Sequence, residues 1–215
     1  MAKRPRTLIV GIAGGSGTGK TTVANHLVAK YGGVHVDGDA VTHAVLKDEN
    51  VVRRIAEEFG PVVVDGEVNR RALGRVVFAD QSRLDALNAI VHPAIVVRSA
   101  REVERARGEG VPVVVVDAAL LLEVPMPFKF DLLLALRCDA KERVRRLMAK
   151  GNRSEAEIRD RIARQADIEK HFYKADAVVD TGRDLDAVWA EVDGLVEAAR
   201  SRKGPDIEPN IEKEN

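Results

Sequence analysis

Cysteine is almost missing from this 215-residue chain. Cys138 stands alone, so no internal disulfide can form, and a reducing, cytoplasmic setting is expected. Net charge is missing too: Lys plus Arg equals Asp plus Glu, which removes any global pull toward nucleic acid or membrane. No apolar run approaches the roughly 18 residues of a membrane span, because Asp117 and Glu123 break the greasiest region. The basic start, residues 1–6, lacks the apolar core of a signal peptide. Cys/His spacings of the zinc-binding kind, internal repeats and the guanine-reading Asn-Lys-x-Asp are all absent. These absences leave a cytoplasmic domain with a small-molecule partner, its oligomeric state open, and argue against a nucleotide switch.

What is present is a phosphate-binding loop. Gly14-Gly15-Ser16-Gly17-Thr18-Gly19-Lys20-Thr21 fits G-x-x-x-x-G-K-[ST], with the apolar Leu8-Ile9-Val10 before it and a helical pattern after it. Glycines let successive N–H groups turn inward onto phosphate oxygens, and the positive end of the next helix adds to the pull. Gly15, Ser16, Gly17, Thr18, Gly19, Lys20, Thr21 and Thr22 are therefore the expected nucleotide-phosphate site. Lys20 is placed to reach the β- and γ-phosphates, and the Thr21 hydroxyl to meet Mg²⁺.

The rest of the chain alternates strand and helix. Short apolar runs predict strands over 7–13, 34–36, 111–116, 130–136 and 175–179, and helical spacing marks 22–31, 139–149, 154–166 and 185–200. Between the second and third strands, helical patterns over 51–59, 70–78 and 82–107 are too much for one crossover, with turns at Gly60-Pro61 and Asp65-Gly66. His92-Pro93 should kink the last of these helices or start a new one. The expected organisation is a nucleotide-binding core (1–40, 111–145 and 167–200), a helical substrate domain (41–110), a lid (146–166) and a disordered tail (201–215). Such alternation implies α/β architecture: a parallel sheet with helices on both faces and a ligand crevice at the strands' carboxyl ends.

Three acids fall at that edge. Asp37-x-Asp39 follows the second strand, where a carboxylate can take the proton of an attacking hydroxyl; helix capping is the rival reading. Asp117 ends a strand of valines, the place of a Mg²⁺-associated acid. Glu123 can face a second substrate, and His43 shares a helix face with Asp39. His92 can touch a ligand or be a hydrogen-bonded structural residue. The run 137–170 is rich in Lys and Arg, which reads either as a solvated face or as a cationic lid closing over a triphosphate.

Several elements in order resemble the dephospho-CoA kinase family. They are the loop from Gly11 to Thr22; Asp37-Gly38-Asp39 with His43; Asn69-Arg70 with Leu73 and Val77-Phe78; and Leu87-Asn88 with His92-Pro93. Asp117 with Leu120-Leu121 and Glu123, Arg161 with Gln165, and Ala175-Asp176 with Asp180 complete the set. The resemblance spans about residues 7 to 195 and implies a P-loop kinase fold with a helical substrate-binding insertion and a helical lid. It implies transfer of the ATP γ-phosphoryl group to the ribose 3′-hydroxyl of dephospho-CoA, with ATP and Mg²⁺ required. Asp39 matches the proposed base, and Arg146 a lid arginine acting with Lys20 in catalysis; Lys150, Arg153 and Arg161 belong to the lid. Arg70 and Leu120 join Asp37, His43, His92 and Glu123 on the substrate side, and Thr21 and Asp117 on the metal. Three positions depart from the family pattern: Ala119 for proline, Lys150 for a second lid arginine and Thr181 for asparagine. A uridine or other nucleoside kinase is the alternative, since the loop alone suits either.

Overall fold

A computed structural model describes residues 6–119, 121–151 and 154–202. Leu120 and Arg153, and the expected tail from residue 203 onward, lie outside the described residues. The chain opens on β1 (Leu8–Ala13), buried along its whole length, and passes through the glycine loop into α1 (Lys20–Tyr31). A second strand, β2 (Gly33–Asp37), delivers α2 (Gly38–Val45) and α3 (Glu49–Phe59). The insertion then makes a small antiparallel hairpin, β3 (Val63–Val64) and β4 (Glu67–Val68), and continues as α4 (Arg70–Val77) and α5 (Gln81–Glu109). The core resumes with β5 (Val113–Ala118), β6 (Leu132–Arg137), α6 (Ala140–Ala149) and α7 (Glu155–Arg164). A 3-10 helix (Ala166–Lys174), β7 (Ala177–Asp180) and α8 (Leu185–Ser201) complete it.

The five long strands form one parallel sheet in the order β2-β5-β1-β6-β7. Successive side chains on a strand point to opposite faces, and here both faces are covered. Ile9, Ala13, Val114 and Val116 pack with the insertion helices, whereas Leu8, Val10, Ile12, Val113 and Val115 pack against α1 and α8. That division explains why these strands read as unbroken apolar runs.

Two features of the insertion differ from the sequence reading. The turn at Asp65-Gly66 is the tip of a hairpin, with φ of 51° and 78° at its two residues, the left-handed pair that joins two twisted strands most tightly. No new helix starts at His92-Pro93: α5 runs through Pro93 as one helix of 29 residues. Buried Ile90, Val91 and Val103 hold it against the core on either side of the proline, and packing outweighs the lost backbone bond. The 3-10 helix was also not anticipated. No helix among the described residues is long and apolar enough to cross a membrane.

On the face away from the insertion, α1 and α8 are stapled together. His26 stacks on Trp189 with ring centroids 4.1 Å apart. Asp193 receives His26 Nε2 at 2.9 Å and Lys30 Nζ at 2.8 Å, and Arg200 lies over the Tyr31 ring at 4.7 Å. Burial, followed by the negative charges of Asp193 and Glu197, pushes the Tyr31 hydroxyl up to about 12. A phenol whose folded pKa is raised adds stability that is complete below its ordinary value of 10.0 and lost as pH climbs through about 12. In a Tyr173→Phe background, where Tyr31 is the remaining tyrosine, phenolate absorbance should rise with a midpoint near about 12. Asp193→Asn should lower that midpoint. A midpoint at the free-tyrosine value in both proteins removes the staple's electrostatic part.

Candidate active site

The site is built where β1 meets α1. Gly17 and Gly19 hold φ of 83° and 89°, left-handed values that side chains resist. The Gly15 carbonyl accepts from Thr18 N at 3.3 Å and from Thr18 Oγ1 at 2.8 Å, which curls the loop. Helix α1 then starts behind Gly19 with no side-chain cap. Among the described residues the other seven α-helices each begin on an Asp, Asn or Ser whose side chain accepts from their first turn. The uncapped helix therefore points its orphan N–H groups and positive dipole end at whatever occupies the loop, and that suits an anion.

Charges converge on Lys20. Burial pulls its pKa below the ordinary lysine value; Asp117 and then Asp39 push it back up, while Arg161 and Arg143 add to the fall. An ammonium half-stripped of water, with too little local counter-charge, is one that a bound polyphosphate stabilises. Thr21 Oγ1 donates to Asp117 Oδ2 at 3.4 Å, and Asp117 itself is 3% exposed at the end of β5. In the sheet register Asp117 sits directly opposite Asp37, so two strands bring two acids to one edge.

The basic helices close the other side, and they meet the loop at Ser16. Its N–H donates to Gln165 Oε1 at 2.7 Å, its hydroxyl accepts from Arg161 Nε at 2.6 Å, and its carbonyl accepts from Arg143 Nε at 2.8 Å. Arg161 also places Nη2 3.8 Å from Asp39 Oδ2, spanning loop and candidate base. Arg146 is tied down: Nε reaches Glu142 at 2.8 Å, and Nη2 and Nη1 reach the carbonyl and hydroxyl of Thr181 at 2.7 and 3.3 Å. Hydrogen bonds from Arg145 and Arg146 hold the Glu142 carboxyl down at about 2. Thr181, at a position where asparagine was expected, is buried and donates to the Thr18 carbonyl at 2.8 Å.

On the substrate side the predicted residues fall into two groups. His43 Nδ1 and Arg70 Nη1 meet at 2.9 Å on an exposed rim. His92 is half-buried beside Glu123; burial lowers its pKa and Glu123 opposes the shift. Glu123 in turn lies 3.9 Å from His171 Nε2. Asp37 has a second job, because its Oδ1 caps α2 by accepting from Asp39 N and Ala40 N at 2.8 and 3.2 Å. Lys150 is exposed at the carboxyl end of α6. No group of three or more His, Cys, Asp or Glu among the described residues could hold a metal ion by itself.

His171 was not singled out from the sequence, and Arg143 only as one cation of the basic run 137–170, read with the lid. The available signal for Arg143 was its spacing: three residues before Arg146, it shares that residue's face of α6. His171 sits in a 3-10 turn that carries no periodic pattern to read.

Topology and site together put the chain in the class of P-loop kinases, and solved structures agree on the fold. A dephospho-CoA kinase from Campylobacter jejuni matches with a TM-score of 0.59 at 17% identity, over 88% of this chain and 95% of that one. A shikimate kinase from Bacteroides thetaiotaomicron matches at 0.51 and 15% identity, over 89% and 97%. Sequence comparison narrows the class: the family model described as dephospho-CoA kinase matches residues 8–186. The dephospho-CoA kinase of Symbiobacterium thermophilum is 38% identical over 91% of this chain and 83% of its own, and that of Corynebacterium glutamicum 36% over 91% and 98%. The chain belongs to the dephospho-CoA kinase family.

Because the Thr181 hydroxyl lies 2.8 Å from the Thr18 carbonyl, nearer than the Arg137 carbonyl at 3.2 Å, Thr181→Val should leave the buried Thr18 carbonyl unpaired. A loss of about 1–3 kcal/mol is expected in denaturant unfolding, the cost of stranding such a group. No change in the unfolding midpoint would show that the tether contributes nothing.

Proposed function

We propose that this chain transfers the γ-phosphoryl group of ATP to the ribose 3′-hydroxyl of dephospho-CoA, giving CoA and ADP. The observation that carries the reading is the disposition of Lys20, Arg161 and Asp39. A cation on the loop side and an arginine bonded to Ser16 both act on the exposed carboxylate of Asp39. A hydroxyl placed against Asp39 loses its proton to that carboxylate as its oxygen attacks the γ-phosphorus, and Lys20 and Arg161 balance charge on the transferring group. Loop amides from Gly15 to Thr22 hold the phosphates.

Thr21 and Asp117 are oxygen donors facing each other at 3.4 Å, a set that fits a hard divalent cation keeping its other ligands from water and phosphate. Bound there, Mg²⁺ would supply charge neutralisation for the polyphosphate, with Thr21 and Asp117 holding it. The insertion, residues 41–110, forms the wall for the coenzyme precursor. Asp37, His43, Arg70, His92, Leu120 and Glu123 belong to that side, and Arg146, Lys150, Arg153 and Arg161 to the lid.

Release of ADP should follow addition of dephospho-CoA to protein and MgATP, with no comparable release on uridine. Turnover with uridine alone overturns the substrate. Lys20→Ala should lose at least about 10²-fold in turnover, since it removes a charge aimed at the transition state. Asp39→Asn should lower kcat by about 10²- to 10⁴-fold while the affinity for ATP changes little, as befits a base that acts only in the chemical step. An effect of Asp39→Asn confined to ATP affinity counts against the assigned role.

A further inference from the structure

Arg143 is out of place for a surface helix. It is 7% exposed, and no carboxylate among the described residues reaches ion-pair distance; Glu169 acts on it only from further away. Its Nη2 is buried with no hydrogen-bond partner among the described residues. Burying an unpaired cation is costly, so something must offset it.

The geometry points to a role behind the phosphate loop. Arg143 Nε donates to the Ser16 carbonyl at 2.8 Å. The Ser16–Gly17 peptide is trans, as are all those described, and in a trans peptide C=O and N–H point in opposite directions. Drawing the Ser16 carbonyl toward α6 therefore turns the Gly17 N–H away from α6. No acceptor among the described residues meets that N–H, so it remains available to a phosphate oxygen. The loop is cut to admit the guanidinium: a Cβ on Gly15 would lie 2.4 Å from Arg143 Nη2, and one on Gly17 2.9 Å from the Arg143 carbonyl oxygen.

We propose that Arg143 is a positioning residue for phosphoryl transfer. It locks the Ser16–Gly17 peptide plane so that the Gly17 N–H faces the nucleotide, and it lends the underside of the loop a fixed positive charge. This inference rests on the reading that the loop binds ATP phosphates.

The test is titration of MgATP into wild type, Arg143→Met and Arg143→Gln, with KM for ATP and for dephospho-CoA measured alongside. Methionine keeps bulk without an N–H; it should weaken MgATP binding and raise the ATP KM by about 10- to 100-fold, the range for losing a hydrogen bond from a charged donor. The KM for dephospho-CoA should stay within about threefold, since that side does not touch Arg143. Glutamine restores an N–H donor without the charge and should recover most of the loss. Equal MgATP binding by wild type and Arg143→Met, or parallel rises in both KM values, overturns the inference. Wild-type protein that binds no MgATP removes the reading of the loop as well, a different result from equal binding.

If Arg143→Met does not fold, Gly15→Ala carries the same question. Alone it should weaken MgATP binding, because its methyl displaces the guanidinium. Combined with Arg143→Ala it should cost nothing beyond Arg143→Ala itself. Two losses that simply multiply overturn the role assigned to Arg143.

Discussion

Main-chain N–H groups can grip a phosphate only when something else holds the peptide planes that carry them. That constraint organises the site. A loop free to wobble would spend the binding energy of the anion on ordering itself, so the loop is pinned through its carbonyls and side chains instead. Thr18 ties the Gly15 carbonyl, Arg143 the Ser16 carbonyl and Thr181 the Thr18 carbonyl. What stays open is the inward side, reinforced by the uncapped start of α1. Loop, acids and basic helices meet there because parallel strands present all their carboxyl ends on one edge.

Electrostatics follows from the same crowding. Lys20 sits among two carboxylates and two guanidinium groups, short of water and short of counter-charge. Arrays of this kind are poorly stabilised until an anion arrives, which ties nucleotide binding to the placement of the basic helices. Ser16 is the mechanical link, since α6 and α7 reach it through different atoms. The departures from the family pattern take on physical content here. Thr181 serves both the loop, through its hydroxyl, and Arg146, through its carbonyl. Lys150 lies exposed at the end of α6 and takes no part in it.

Much of the fold was legible because its signals are local. Apolar runs marked the strands, and acids just after β2 and at the end of β5 marked the crevice. The phosphate loop was complete in one stretch, and each of its residue types has a local reason. Harder to read were features that depend on what packs nearby. Pro93 should break a helix by its own chemistry, yet flanking contacts carry α5 through it. Asp37 read first as a site acid with capping as the rival, and in the fold its Oδ1 caps α2. Glu123 meets His92 and His171, residues from a distant helix and an unpredicted 3-10 turn, a meeting that no spacing announces.

The amino-acid order alone determined that a glycine loop would follow a buried strand, that acids would stand at the strands' ends, and that the chain resembles one kinase family. Those properties belong to dihedral preferences, side-chain periodicity and short-range order, which a linear string carries. Only the tertiary structure decided which of the many arginines are buried and which are rim. Arg143, Arg145 and Arg146 are near neighbours in the chain; one lies under the loop, one faces water and one is bonded to Thr181. Such assignments depend on which surface each residue is pressed against, and a helix's periodicity names its faces without naming their partners.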